Sequence, residues 1–238
     1  GRTNSYALFL SKNRTIDIKM KRLLAHEIFH IWIGDKIQFA DPEQLVYWFK
    51  EGFTDYYAEL LLLRSKLISL EEYIDQYNVI LETYFTSPMR YEKNERLINE
   101  FWSDKDLTQL PYQRGRIFAH NLNYAILKNS NWKKSLDDLM HDLVSRCINE
   151  SLVISNGSLS ALIRFYAGDQ ILSDIMRTLN SGAVLKTIPE ALGPCFKMEI
   201  ESKKKLIIFG EQYDIPSYKL KKGNQQVDKS CLDWFGVD

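Results

Sequence analysis

The chain is short of the residues that define several broad classes of protein. Its three cysteines, Cys147, Cys195 and Cys231, are odd in number, widely separated, and form no Cys-x-x-Cys pair. That excludes a structural zinc ribbon or a dithiol motif, and reduced or buried thiols are expected. Net charge is missing too: 31 basic residues balance 31 acidic ones. With no basic excess there is no electrostatic footprint for nucleic acid. Long apolar runs are absent. Leu60 to Leu63 is cut by Arg64, far short of the roughly 20 residues that span a bilayer, so no transmembrane segment is expected. No repeat or low-complexity tract appears. Gly1 opens the chain without an export-signal pattern. It reads as a start cut back from something longer, which leaves the compartment unknown. Oligomeric state is open as well.

What is present is a core-forming composition with 45% hydrophobic residues, enough for one large domain or one domain with a small addition. Apolar residues recur mostly at three- and four-residue spacing, so a mainly α fold with a minor β part is expected. Residues 17–33 read as a helix, with Gly34 as its stop. A second helix starts at Asp41-Pro42, a cap followed by a first-turn proline, with Gln44 placed to complete a capping box. A third runs from the Ser69 cap to about Tyr84. Helices are further expected near residues 95–101, 112–128, 135–149, 158–167 and 173–180. After Pro194 the pattern changes. Residues 196–200 and 206–209 flank a lysine-rich turn and predict a β-hairpin, a C-terminal appendage to the helical body. The expected organisation is therefore a domain over 1–194 and a small β-rich piece, or a truncated following domain, over 195–238.

Histidine is scarce, with four in the chain, and two of them fall in His26-Glu27-Ile28-Phe29-His30. Four residues apart on a helix, His26 and His30 project from one face and can grip one metal ion. Glu27 between them can reach a water carried by that metal. A third ligand is found in the next helix. Glu51 sits among Trp48, Phe49 and Phe53, where an unpaired carboxylate is costly and a metal removes the cost. Two histidines and a glutamate leave the fourth position of a tetrahedral zinc open. Asp55, one turn after Glu51, is placed to accept the second ring N–H of a ligand histidine, with His26 the expected partner. His120 and His141 read as surface or packing residues.

This pattern resembles the gluzincin zinc metallopeptidases. Twenty residues separate His30 from Glu51, slightly more than in thermolysin and the aminopeptidase N family. The string Trp48-Phe49-Lys50-Glu51-Gly52-Phe53-Thr54-Asp55-Tyr56-Tyr57 is most similar to the glycyl aminopeptidase family, which carries Trp-x-x-Glu-Gly-x-Thr-x-Tyr-Tyr at its third ligand. Pro111-Tyr112-Gln113-Arg114-Gly115 resembles the Tyr-x-Lys/Arg-Gly element, in which a tyrosine hydroxyl hydrogen-bonds the tetrahedral intermediate. The resemblance implies a thermolysin-like catalytic domain, one zinc ion, a peptide or protein substrate, Glu27 as proton shuttle and Tyr112 as oxyanion donor. It also implies an extended segment near Tyr6 to Leu10 able to pair with substrate. The Gly-x-Met-Glu-Asn string that anchors a free amine in the aminopeptidase N family does not occur. Aminopeptidase and endopeptidase readings both stay open, as does a zinc-bearing binding module without activity.

Overall fold

The computed structural model describes residues 15–204, 212–221 and 229–237. The expected extended segment at Tyr6 to Leu10 lies outside them.

Helix α1 (Ile18–Phe29) starts where Asp17 accepts a hydrogen bond from the Met20 amide at 2.8 Å. It ends four residues earlier than periodicity suggests. His30 is the C-cap, and its ring donates to the Ile33 carbonyl at 2.9 Å as the chain turns into Gly34 at φ +131°. Strand β1 (Gln38–Phe39) follows. Asp41-Pro42 does not open an α-helix directly. Pro42 is extended and leads a 3-10 turn, Glu43–Val46, from which α2 (Tyr47–Arg64) continues. Trp48, Phe49, Phe53, Tyr56, Tyr57 and Leu60 are all buried, making α2 the central rod of the core.

Helix α3 (Leu70–Thr86) begins with a full capping box between Ser69 and Glu72, and Ser87 with Pro88 ends it. After the short α4 (Leu97–Glu100) comes α5 (Lys105–Asn129). This helix starts seven residues before Tyr112. Asp104 caps it by accepting from the Asp106 and Leu107 amides, and Pro111 sits inside it. An interior proline typically costs a helix about 3 kcal/mol. Burial of Leu107, Leu110, Ile117, Phe118 and Leu122 outweighs that preference.

Helix α6 (Leu136–Asn149), strand β2 (Val153–Ile154), α7 (Asn156–Ala167) and α8 (Asp169–Ser181) complete the helical body. Both α7 and α8 begin earlier than the sequence suggests, and Gly182 at φ +70° closes α8. Strands β1 and β2 pair in parallel, Gln38 opposite Val153 and Phe39 opposite Ile154.

Strand β3 (Phe196–Lys204) pairs antiparallel with β4 (Gln212–Leu220), Phe196 opposite Leu220 and Lys204 opposite Gln212. The second strand is thus residues 212–220. The apolar stretch 206–209, expected to form it, lies outside the described residues. Strand β4 lies along α3, where Asn78 clamps the Tyr218 backbone by two hydrogen bonds of 2.9 and 2.8 Å. Helix α9 (Lys229–Asp233) brings Phe235 and Val237 into the same core as α2 and α3.

The expectation of reduced thiols is corrected: Cys195 and Cys231 form a disulfide, leaving Cys147 free and buried. No sequence motif announces a bond between residues 36 apart; it depends on α9 docking beside the start of β3.

Candidate metal centre

Three helices build the site, each contributing side chains at four-residue spacing. Helix α1 presents Arg22 and His26, with His30 at its C-cap. Helix α2 presents Glu51, Asp55 and Glu59, and α5 presents Tyr112, Arg116 and His120. Residues four apart share a helix face, so each series forms one stripe.

The stripes of α1 and α2 run antiparallel and meet rung by rung. His26 Nε2 lies 3.5 Å and His30 Nε2 3.6 Å from Glu51 Oε2. Asp55 Oδ1 accepts from His26 Nδ1 at 2.7 Å. Arg22 Nε lies 2.6 Å from Glu59 Oε1. Arg116 closes the far end from α5, ion-paired to Glu59 with both side chains buried. Burial pulls the Arg116 guanidinium down to about 10, and the nearby Asp55 carboxylate works in the opposite direction.

The two imidazoles define the chemistry. His26 Nδ1 faces a carboxylate and His30 Nδ1 faces a backbone carbonyl, so both Nδ1 atoms carry protons. Each neutral ring then offers Nε2 as a bare acceptor, and those two atoms are 3.0 Å apart. Glu51 adds a third acceptor. Three acceptors converge with no donor among them, an arrangement that only a cation makes favourable.

Without a metal, that cation is a proton. Burial works against a charge on His26, but hydrogen bonds to Asp55 and Glu51 hold it up at about 10. Burial likewise works against Glu51 ionising, yet His26 and His30 hold it down at about 2. With a metal, the three atoms are a fitting donor set, since all lie within 4.8 Å of one another. Bonds of about 2.1 Å at tetrahedral angles place ligand atoms roughly 3.4 Å apart. The observed 3.0, 3.5 and 3.6 Å bracket that value.

Tyr112 reaches the same point from α5. Its ring stacks near His26, with centroids 6.2 Å apart, and the charge on Glu51 acts on its hydroxyl. Burial and the Glu51 charge push its pKa well up, so it keeps its proton and remains a donor. Glycines allow this approach. A Cβ on Gly52 would come within 2.4 Å of Gly115 Cα, and one on Gly115 within 1.8 Å of the Trp48 carbonyl oxygen. The helices touch backbone to backbone one residue from Glu51 and three from Tyr112.

Glu27 is half-buried on α1, about 100° around the helix from His26, and makes no hydrogen bond or ion pair among the described residues. His120 lies away from His26, His30 and Glu51, buried against Tyr56, Tyr73 and Tyr77. Glu59, Arg22 and Arg116 escaped the sequence reading. Their signal was available in the series 51-55-59, 22-26-30 and 112-116-120.

Residues 19–105 match the M61 glycyl aminopeptidase family. The matched stretch covers α1 from its second residue, contains α2 and α3, and stops before Tyr112. Among curated proteins, none matches the chain. The family match supports a peptidase, and with it a peptide substrate. Among the described residues, no helix is long and apolar enough to cross a membrane.

Proposed function

We propose that this protein hydrolyses peptide bonds with one zinc ion held by His26, His30 and Glu51, and that it acts as an aminopeptidase. One observation carries the reading. Three ligand atoms, two of them Nε2 atoms 3.0 Å apart, converge on one point that a bound cation can satisfy. The family match supports the peptidase half of the proposal. On this view residues 1–194 are a thermolysin-like catalytic domain and residues 195–238 an appendage bound to it.

Zinc, when bound, supplies a Lewis acid that activates water and polarises the scissile carbonyl. Asp55 holds the proton on His26 Nδ1 and so keeps Nε2 free to ligate. The Glu27 carboxylate takes a proton from the attacking water and delivers it to the leaving nitrogen. The Tyr112 hydroxyl donates to the carbonyl oxygen as negative charge develops there, an interaction typically worth a few kcal/mol in the transition state.

The test is metal analysis of the isolated chain together with a panel of peptides, each with a free or a blocked N-terminus. One zinc per chain and cleavage of free peptides alone is the expected result. Equal cleavage of blocked peptides makes the protein an endopeptidase with the same site. A zinc-loaded chain that cleaves nothing overturns the reading. Glu27→Gln should retain zinc and lose at least about 100-fold in turnover, the lower end for a proton-transfer group.

A further inference from the structure

We propose that Trp102, on the turn between α4 and α5, holds an apolar side chain of the substrate about three to five residues beyond the scissile bond, on the leaving-group side. The protein then favours extended peptides over dipeptides. The proposal rests on the peptidase reading and gives that site a second, remote contact with its substrate.

Trp102 is 84% exposed, the most of any large apolar side chain among the described residues. Single exposed apolar residues are ordinary. What distinguishes Trp102 is how it is held and where it stands.

The turn that carries it is tied on both sides. Thr108 donates to the Phe101 carbonyl at 2.6 Å. Ser103 donates its amide and its hydroxyl to the Glu100 carbonyl at 2.9 and 2.7 Å, and Asp104 caps α5. The indole makes a T-shaped contact with Phe101, centroids 4.7 Å apart. Phe101 is itself buried and makes a like contact with Tyr47 at 4.9 Å. Tyr47 lies one turn before Glu51 on α2. A rigid ring on a fixed turn loses little conformational freedom when a guest covers it.

The cavity between α3 and α5, of about 350 Å³, leads from the candidate metal centre toward this turn. Asp55 and Tyr112 form part of its wall, and so do Lys105 and Asp106 in the first turn of α5. Lys105 and Tyr112 are seven residues apart on that helix, a rise of about 10 Å. A peptide with its scissile carbonyl at Tyr112 and its chain along this cavity advances about three residues, at about 3.3 Å each, before it reaches Lys105. Trp102 precedes Lys105 by three residues and stands at the end of α5 away from Tyr112. An aminopeptidase has one residue before the bond it cuts, so a contact this distant falls on the leaving part. Tryptophan covered by an apolar partner is a frequent source of binding energy.

The experiment uses the zinc-loaded chain and seven-residue peptides of glycine and alanine with a free N-terminus, in which one phenylalanine is moved along the sequence. Products are identified by mass, so positions are counted from the bond actually cut. Phenylalanine at one position among the third to fifth residues after that bond should raise kcat/KM by about tenfold over the peptide without it, the scale of a binding hot spot. Trp102→Ala should remove that gain and leave dipeptide cleavage and zinc content unchanged. Trp102→Phe should retain most of the gain. Trp132→Ala, which removes another exposed indole just past the opposite end of α5, should leave it intact. No gain at any of these positions overturns the proposal, as does a gain that survives Trp102→Ala or is lost equally in Trp132→Ala. Failure of the wild-type chain to cleave any peptide while fully loaded with zinc overturns the peptidase reading and this proposal together. That result is distinguishable from cleavage without positional preference, which overturns this proposal alone.

Discussion

His26 and His30 each commit Nδ1 to an acceptor, one to Asp55 and one to the Ile33 carbonyl. A metal must therefore displace the proton that His26 holds up to about 10 in the metal-free protein. At pH 7, zinc binding should release about one proton, and affinity should rise with pH until His26 is neutral. Calorimetry in two buffers of different ionisation enthalpy reads the proton directly, and release of none contradicts the assignment. The sign for the metal-free fold is the opposite. The raised value of His26 stabilises that fold fully below its ordinary value of about 6.5, and the contribution is lost as pH rises through about 10. At this scale the site was legible because its key residues are rare in kind or costly in place. His-x-x-x-His is an unusual string, and a glutamate between Trp48, Phe49 and Phe53 calls for a partner. Asp55 was expected to meet His26 from its place one turn after Glu51, and the crossing of α1 and α2 brings the two within 2.7 Å.

Helices dock through charged stripes as well as apolar ones. The Arg22–Glu59–Arg116 cluster locks α1, α2 and α5 together two turns from Glu51. Glu59 is 2% exposed, so its removal strands two arginines beside each other. Glu59→Gln should cost about 3–5 kcal/mol in urea unfolding. Pairing Glu59→Leu with Arg116→Met should recover much of that loss, because an apolar replacement leaves no buried charge at those two positions. No recovery in the double variant would show that the cluster contributes more than charge pairing. Element boundaries were legible where a side chain caps a helix, as Asp17 and Ser69 do. They were not legible where burial overrides local preference. Pro111 looks like a first-turn residue, and the helix around it forms because both of its flanks are packed.

Across the whole molecule, the C-terminal strands and the last helix are tied to the helical body rather than hung from it. The Cys195–Cys231 bond, the Asn78 clamp on β4 and the Arg64 side chain donating to the Phe235 carbonyl at 2.7 Å all span that junction or brace it. Cys195→Ser should lower stability by about 2–4 kcal/mol, the usual range for a native disulfide. Thiol titration of unfolded, unreduced wild-type protein should find one free thiol, Cys147, of the three cysteines. Three would contradict the bond. The mainly helical character could be read from periodicity. The disulfide and the docking of β4 on α3 could not, because each is a contact between distant segments that leaves no local pattern.

The most direct measurement is zinc-edge anomalous diffraction from zinc-soaked crystals of the chain. The account predicts one strong peak about 2.0–2.2 Å from His26 Nε2, His30 Nε2 and a Glu51 carboxylate oxygen. A zinc peak elsewhere, or Glu51 turned away from the two imidazoles with no metal between them, would contradict it.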